Sequence, residues 1–165
     1  MAAPRNDHTY EQVSAVLRYA PETGGFLRRH PRGAVWRPAK TYNDGGGYPQ
    51  IYTCGRQYLA HRLAWLLTHG EWPAAEIDHC GLDKSDTRMS ALREATRGQN
   101  QGNVRVRRDN LSGFKGVARH GAGWRARIRM DGALKHLGVF STPEAANRAY
   151  AAAAALHFGD FARAA

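Results

Sequence analysis

Apolar residues recur at helical spacing near the start of this chain, at strand spacing further on, and at both in turn towards its end. Thr9 to Ala20 (TYEQVSAVLRYA) sets Val13, Val16, Leu17 and Tyr19 at near-helical intervals before PETGG, which predicts a short amphipathic helix stopped by proline and glycine. Phe26-Leu27 and the stretch Gly47 to Leu59 read as strands, the second a hairpin turning near Cys54-Gly55-Arg56. His61 to Leu67 is apolar on one face and closes at Gly70 and Pro73, so a helix is expected there, packed beneath whatever site the domain builds. EIDHC (76–80) and LREAT (92–96) are strand-like, GLDKSDTRMSA between them is a polar loop, and RGQNQGNV is a short helix. This order draws positions 78, 79 and 100 together.

The last third changes rhythm. Residues 115–119, 124–130 and 135–140 are strand candidates divided by glycine-rich or Asp131-Gly132 turns, the second a strong hairpin signal. In the middle strand Trp124, Ala126, Ile128 and Met130 alternate with Arg125, Arg127 and Arg129, giving an apolar face and an arginine face. Ser141-Thr142-Pro143-Glu144 then caps an alanine-rich helix running to about His157, whose Ala146, Ala149, Tyr150 and Ala153 can cover the apolar face. The fold class expected is α+β, in two small units: residues 1–103, a basic linker 104–112 carrying Arg105, Arg107 and Arg108, and residues 113–165.

Charge narrows the partners. Lys and Arg outnumber Asp and Glu 24 to 14 among 165 residues, for a net +10 and an isoelectric point near 10.2. A polyanion is the natural partner, nucleic acid before an anionic membrane surface, because charge steers encounter and contact releases counterions. No apolar run approaches the roughly 18 residues a spanning helix needs, and the amino terminus MAAPRNDHTYEQ lacks the apolar centre of a secretory signal. The chain is therefore expected in the cytosol or nucleoplasm. Cys54 and Cys80 are too few for a disulfide framework and read as reduced thiols.

Asp78, His79 and Asn100 supply a carboxylate, an imidazole and an amide oxygen. Those groups suit cleavage of a phosphodiester: oxygen donors suit a magnesium ion that neutralises charge and stabilises the leaving oxygen, and an imidazole can take a proton from water near neutral pH. His79 follows Asp78 on a strand and so points the other way unless the loop turns it. His61 reads as a buried, hydrogen-bonded core histidine, and Asp83 and Asp86 as solvated or capping residues. Gly45-Gly46-Gly47 reads as a flexible turn, since no Lys-Ser/Thr follows it. Trp65 and Trp72 belong to the core, and His69, His120 and His157 to the surface.

Residues 60–103, AHRLAWLLTHGEWPAAEIDHCGLDKSDTRMSALREATRGQNQGN, resemble the HNH homing endonucleases of the ββα-metal class, especially phage and intron-encoded members, through HRLAW, IDH, LREAT and the closing Asn. The resemblance implies that Asp78 and Asn100 bind one Mg²⁺ or Mn²⁺, that His79 is the general base, and that the product is a nick or break in double-stranded DNA. Ala91 stands where the family commonly has its middle Asn, a structural residue that ties the loop, and Thr87 stands where a second Asn is frequent. That departure keeps a second expectation alongside the first: a DNA-binding regulatory protein that retains the HNH fold with weakened or lost catalysis.

Residues 113–161, with KGV, WRARIR, LGVFSTPEAANRAY and HFG, resemble the Apetala-two/ethylene-response-factor DNA-binding domain. This likeness implies a three-stranded antiparallel sheet packed on one helix and laid in the major groove, with Arg119, Arg125, Arg127 and Arg129 on phosphates and bases and Lys115 and Trp124 as lesser contacts. His136 stands where plant members tend to have Trp. Two DNA-contacting parts on a basic linker fit a monomer on an extended asymmetric site, with a symmetric dimer as the alternative.

Overall fold

In the computed structural model, which describes residues 7–163, the chain divides into two units, Met1–Glu94 and Ala95–Ala165. The first begins with α1 (Tyr10–Ser14), opened by a reciprocal cap in which the Thr9 hydroxyl accepts from the Gln12 amide and the Gln12 side chain accepts from the Thr9 amide. The helix expected to reach Ala20 stops here. Leu17–Ala20 is instead β1, paired antiparallel with β2 (Gly25–Arg29) in the register Leu17 to Arg28 and Tyr19 to Phe26. Spacing in so short a window suits either element, and cross-strand pairing decides it: Leu17 is fully buried as a strand residue.

β3 (Trp36–Pro38) completes this sheet in the order β1-β2-β3. A second three-stranded sheet holds β4 (Thr41–Asn43), β5 (Pro49–Thr53) and β6 (Arg56–Leu59). Cys54 and Gly55 both have positive φ, 50° and 77°, the mirror-image turn that matches strand twist in a two-residue hairpin. The glycine run is not loose: the Asn43 amide oxygen accepts from the backbone amides of Gly45 and Gly47, and an Asp44 carboxylate oxygen accepts from those of Gly46 and Tyr48. α2 (Ala60–His69) comes directly after β6 and ends on Gly70 in the left-handed conformation. β7 (Glu76–His79) and β8 (Leu92–Ala95) form the two-stranded ribbon that carries the site. Val13, Leu17, Phe26, Ile51, Tyr58, Leu63, Leu66, Ile77 and Leu92 share one core, with Trp65 and Trp72 packed against it.

In the second unit α3 (Arg97–Gly102) opens on another reciprocal cap, Thr96 with Gln99. β9 (Val117–His120), β10 (Gly123–Met130) and β11 (Ala133–Phe140) form an antiparallel sheet in the order β11-β10-β9, its β10–β11 turn made by Asp131 and Gly132 at φ 51° and 80°. α4 (Pro143–Phe158) covers one face, burying Ala146, Tyr150, Ala154 and Phe158 against Val117, Ala126 and Ile128. The small side chains allow close approach of helix to sheet, and Gly116 is tighter still: at φ +69°, a Cβ there would collide with the Tyr150 ring and the Arg127 carbonyl. A register shift between Ala126 and Arg127 leaves Leu137 unmatched on β11, packed into the core.

The division at Glu94 and Ala95 lies upstream of residue 103. α3 rests on its own unit's last helix, where a Cβ on Gly102 would come 3.0 Å from Phe158, and the segment 104–112 lies wholly within the second unit. Among the described residues no helix is long and apolar enough to cross a membrane.

Candidate active site

β7 delivers Asp78 and His79 side by side at its end, and both are buried, at 3% and 6% exposure. Strand alternation sends them to different neighbours. Asp78 turns towards β8, where Arg93 donates from Nε and Nη2 to the same carboxylate oxygen at 3.0 and 2.9 Å. A buried carboxylate needs such a partner, since an unpaired one would carry a large desolvation cost.

His79 turns towards α2 and the start of β5. Its ring lies 5.0 Å from that of His61, perpendicular to it, and 5.8 Å from Tyr48; Tyr48 and His61 are 5.5 Å apart. The three rings form a closed aromatic group. Burial lowers the His79 pKa against the opposing pull of Asp78, Asp83 and Asp86, so the imidazole is held towards its neutral form. His61 is lowered further, to about 4, by burial first and then by His79 and Arg62. It is a buried histidine, but not one with every ring nitrogen satisfied: Nδ1 has no hydrogen-bond partner among the described residues.

The polar loop between β7 and β8 is fastened at both ends and in the middle. The Cys80 amide donates to the Ala91 carbonyl at 2.9 Å and the Leu82 amide to the His79 carbonyl at 2.9 Å. Tyr19 donates its hydroxyl to the Thr87 carbonyl at 2.6 Å, Thr87 donates its own to the Gly24 carbonyl at 2.8 Å, and the Met89 amide donates to the Pro21 carbonyl at 3.0 Å. Lys84 reaches the Gly46 carbonyl at 2.8 Å and sits 4.5 Å above the Tyr48 ring. The β1–β2 turn thus grips the loop at Thr87, close to the position where Ala91 offers no side-chain tie. Asp83 accepts from Ser85, and Asp86 accepts from Arg88 in a paired geometry that pulls its carboxyl down to about 2; both are turn-forming residues.

Residues 58–102 match the family model of HNH endonucleases. The HNH stretch runs from β6 through α2, the β7–β8 ribbon and α3, and so contains Asp78, His79, Arg93 and Asn100. Searches of curated proteins and of solved structures each return no match. Within the HNH stretch Asn100 is carried by α3, in the second unit. Among the described residues no group of three or more His, Cys, Asp or Glu is arranged to hold a metal ion. A magnesium ion asks for less, one or two carboxylate or carbonyl oxygens with water making up the rest, and the Asp78 carboxylate is a hard-oxygen donor of that kind.

The other residues singled out by sequence fall in the second unit. Arg125, Arg127 and Arg129 share the sheet face away from α4, opposite Val139, His136 and Leu134 on β11. Arg119 lies across from Trp124, on the other face, its guanidinium 5.2 Å from the ring centroid. Lys115 points inward: its ammonium donates to the carbonyls of Gln101, Gly102 and Val104, clamping the end of α3, and burial lowers its pKa to about 8. Arg105, Arg107 and Arg108 are exposed. Sequence reasoning missed Arg93, Tyr48 and the Tyr19–Thr87 tie, all of which depend on cross-strand or long-range placement with no local motif to mark it.

Proposed function

We propose that the protein is a metal-dependent DNA endonuclease of the homing type, which hydrolyses a phosphodiester at a site selected by its carboxy-terminal sheet. The observation that carries this reading is the buried Asp78-His79 pair at the end of β7, inside the stretch that matches the HNH endonucleases. Asp78 and Asn100 would hold one Mg²⁺ or Mn²⁺, which when bound neutralises the phosphate and stabilises the leaving oxygen. Asn100 enters by its position in the motif. His79 takes the proton from the attacking water as the new P–O bond forms and the ester P–O bond breaks, while His61 and Tyr48 hold its ring. Arg93 keeps the Asp78 carboxylate oriented. Arg125, Arg127 and Arg129, presented together from β10, are proposed to meet phosphates and base edges, and Arg105, Arg107 and Arg108 the backbone alone. The protein works as a monomer in this reading.

Incubating the chain and its His79→Ala variant with supercoiled plasmid, with and without Mg²⁺ or Mn²⁺, tests the proposal. Relaxed or linear product that depends on metal and falls about 100-fold or more in the variant is the expected result; full cleavage by His79→Ala would overturn the assignment of the base. Ala91 favours a second reading, a DNA-binding protein that keeps the HNH fold without cutting, and retention of DNA with no conversion under any divalent ion would establish it.

A further inference from the structure

The first unit carries a cluster of positive charge that the HNH stretch does not include. Between Thr23 and Asn43 there are five basic residues, Arg28, Arg29, Arg32, Arg37 and Lys40, and no acid. Among the described residues none of the five takes part in an ion pair. The strand register makes this more costly, because Arg28 lies directly opposite Arg37, and like charges facing each other across a sheet destabilise it. Nothing in the unit's own core requires arginine at either position. A partner of opposite charge accounts for both.

Two of the five border a groove. Arg28, Arg29 and His30 line one side of a cavity of about 630 Å³, and Tyr52 and the Cys54-Gly55 turn line the other. Tyr52 is 48% exposed, so an aromatic surface stands open beside the guanidinium groups. Arginine with an exposed aromatic ring suits a phosphate-sugar backbone better than a small carboxylate ligand, which would ask for a closed pocket.

β5 fixes where this groove lies along a bound strand. Tyr48, one residue before its near end, packs against His79, and its far end, at Thr53, lines the groove. Five residue steps at about 3.3 Å each separate the two by roughly 16 Å, which is about five base pairs at 3.4 Å per pair along one strand. We infer that the Arg28–Arg29–Tyr52 groove holds the backbone of duplex DNA on one flank of the cleavage site, about five base pairs from the bond that His79 serves. The inference rests on duplex DNA being the substrate.

The test is equilibrium binding of the full chain to a DNA duplex, without divalent metal and in the His79→Ala background, as salt is raised. Arg28→Gln with Arg29→Gln should reduce the slope of log affinity against log salt by about 2, since each phosphate contact contributes about 0.9; Arg28→Lys with Arg29→Lys, which keeps the charge, should retain it. An unchanged slope in the glutamine pair overturns the groove. So does a reduction seen on single-stranded RNA and not on duplex DNA. If the slope falls but the wild-type chain never cuts plasmid, the nuclease reading fails and the groove stands; if plasmid is cut and the slope does not move, the groove fails alone. On a duplex with a mapped cut, hydroxyl-radical protection about five base pairs to one side, lost in the glutamine pair, places the contact, and protection absent there overturns its position.

Discussion

His61 shows how one residue can be read correctly as to burial and incorrectly as to bonding. Apolar periodicity placed it on the inner face of α2, and the structure buries it, yet the group it meets there is the edge of another imidazole. Its pKa, lowered from 6.5 to about 4, has a consequence for stability. Between those values the unfolded chain binds a proton at His61 and the folded chain does not, so stability is complete above pH 6.5 and falls as pH drops towards 4. The interval corresponds to about 3 kcal/mol from this residue. Urea denaturation at stepped pH should show that decline, and His61→Phe should flatten it; an unchanged pH slope in the variant would contradict the assignment. Tyr19→Phe removes the donor to Thr87 and is expected to lower stability by about 1 kcal/mol by the same measurement. Asp78 and His79 were legible because adjacent acid and imidazole in a strand-ending motif are visible in one dimension. Arg93 and Tyr48 were not, because only antiparallel pairing and the β5 approach bring them to that pair.

At the scale of elements, the readable parts were those with strong local chemistry. The Asp131-Gly132 turn, the Gly70 stop and the Ser-Thr-Pro-Glu start of α4 all stand where sequence placed them, since each depends on backbone preferences of the residues themselves. β3 and β4 were invisible: each has three residues, mostly exposed, too short for alternation to register. The fate of residues 17–20 was settled by their pairing with residues 25–28 of β2, a relation no helical window contains. In the second unit, packing of α4 on the sheet depends on Gly116, where a side chain would meet the Arg127 carbonyl and the Tyr150 ring at positive φ. Gly116→Ala should cost that unit about 2 to 4 kcal/mol, combining backbone strain with overpacking, seen as a lowered transition in thermal unfolding measured by circular dichroism. A change below about 0.5 kcal/mol, the size of an ordinary surface substitution, would show that the helix shifts freely.

For the whole molecule, a net charge of +10, most of it carried by residues 95–165, sets the terms of any encounter with DNA. Neutralising three exposed arginines of the second unit together, Arg105→Gln, Arg107→Gln and Arg108→Gln, is expected to weaken binding to unrelated duplexes alike and to reduce the salt slope by about 3 if each meets a phosphate. Replacing Arg125, Arg127 and Arg129 should instead change which sequences are preferred, measured by selection from a random duplex pool. Equal loss on every sequence in both sets would leave no reading function to β10. The division of the chain itself was less legible than its motifs. Composition marked 104–112 as a linker, whereas close packing of Gly102 on Phe158 and the Lys115 clamp join α3 to the rest of the second unit, and neither contact has a signature in sequence.

The grip of the β1–β2 turn on the loop at Thr87 also bears on how this endonuclease-like stretch can be handled as a part. Tyr19, Pro21 and Gly24 all lie well before residue 58, where the family match begins. A graft of residues 58–102 into another carrier would arrive without the anchors that hold the β7–β8 loop, and with Ala91 contributing only its backbone to replace them. A transplantable piece has to start no later than Leu17, so that β1, β2 and the turn between them travel with the loop they fasten.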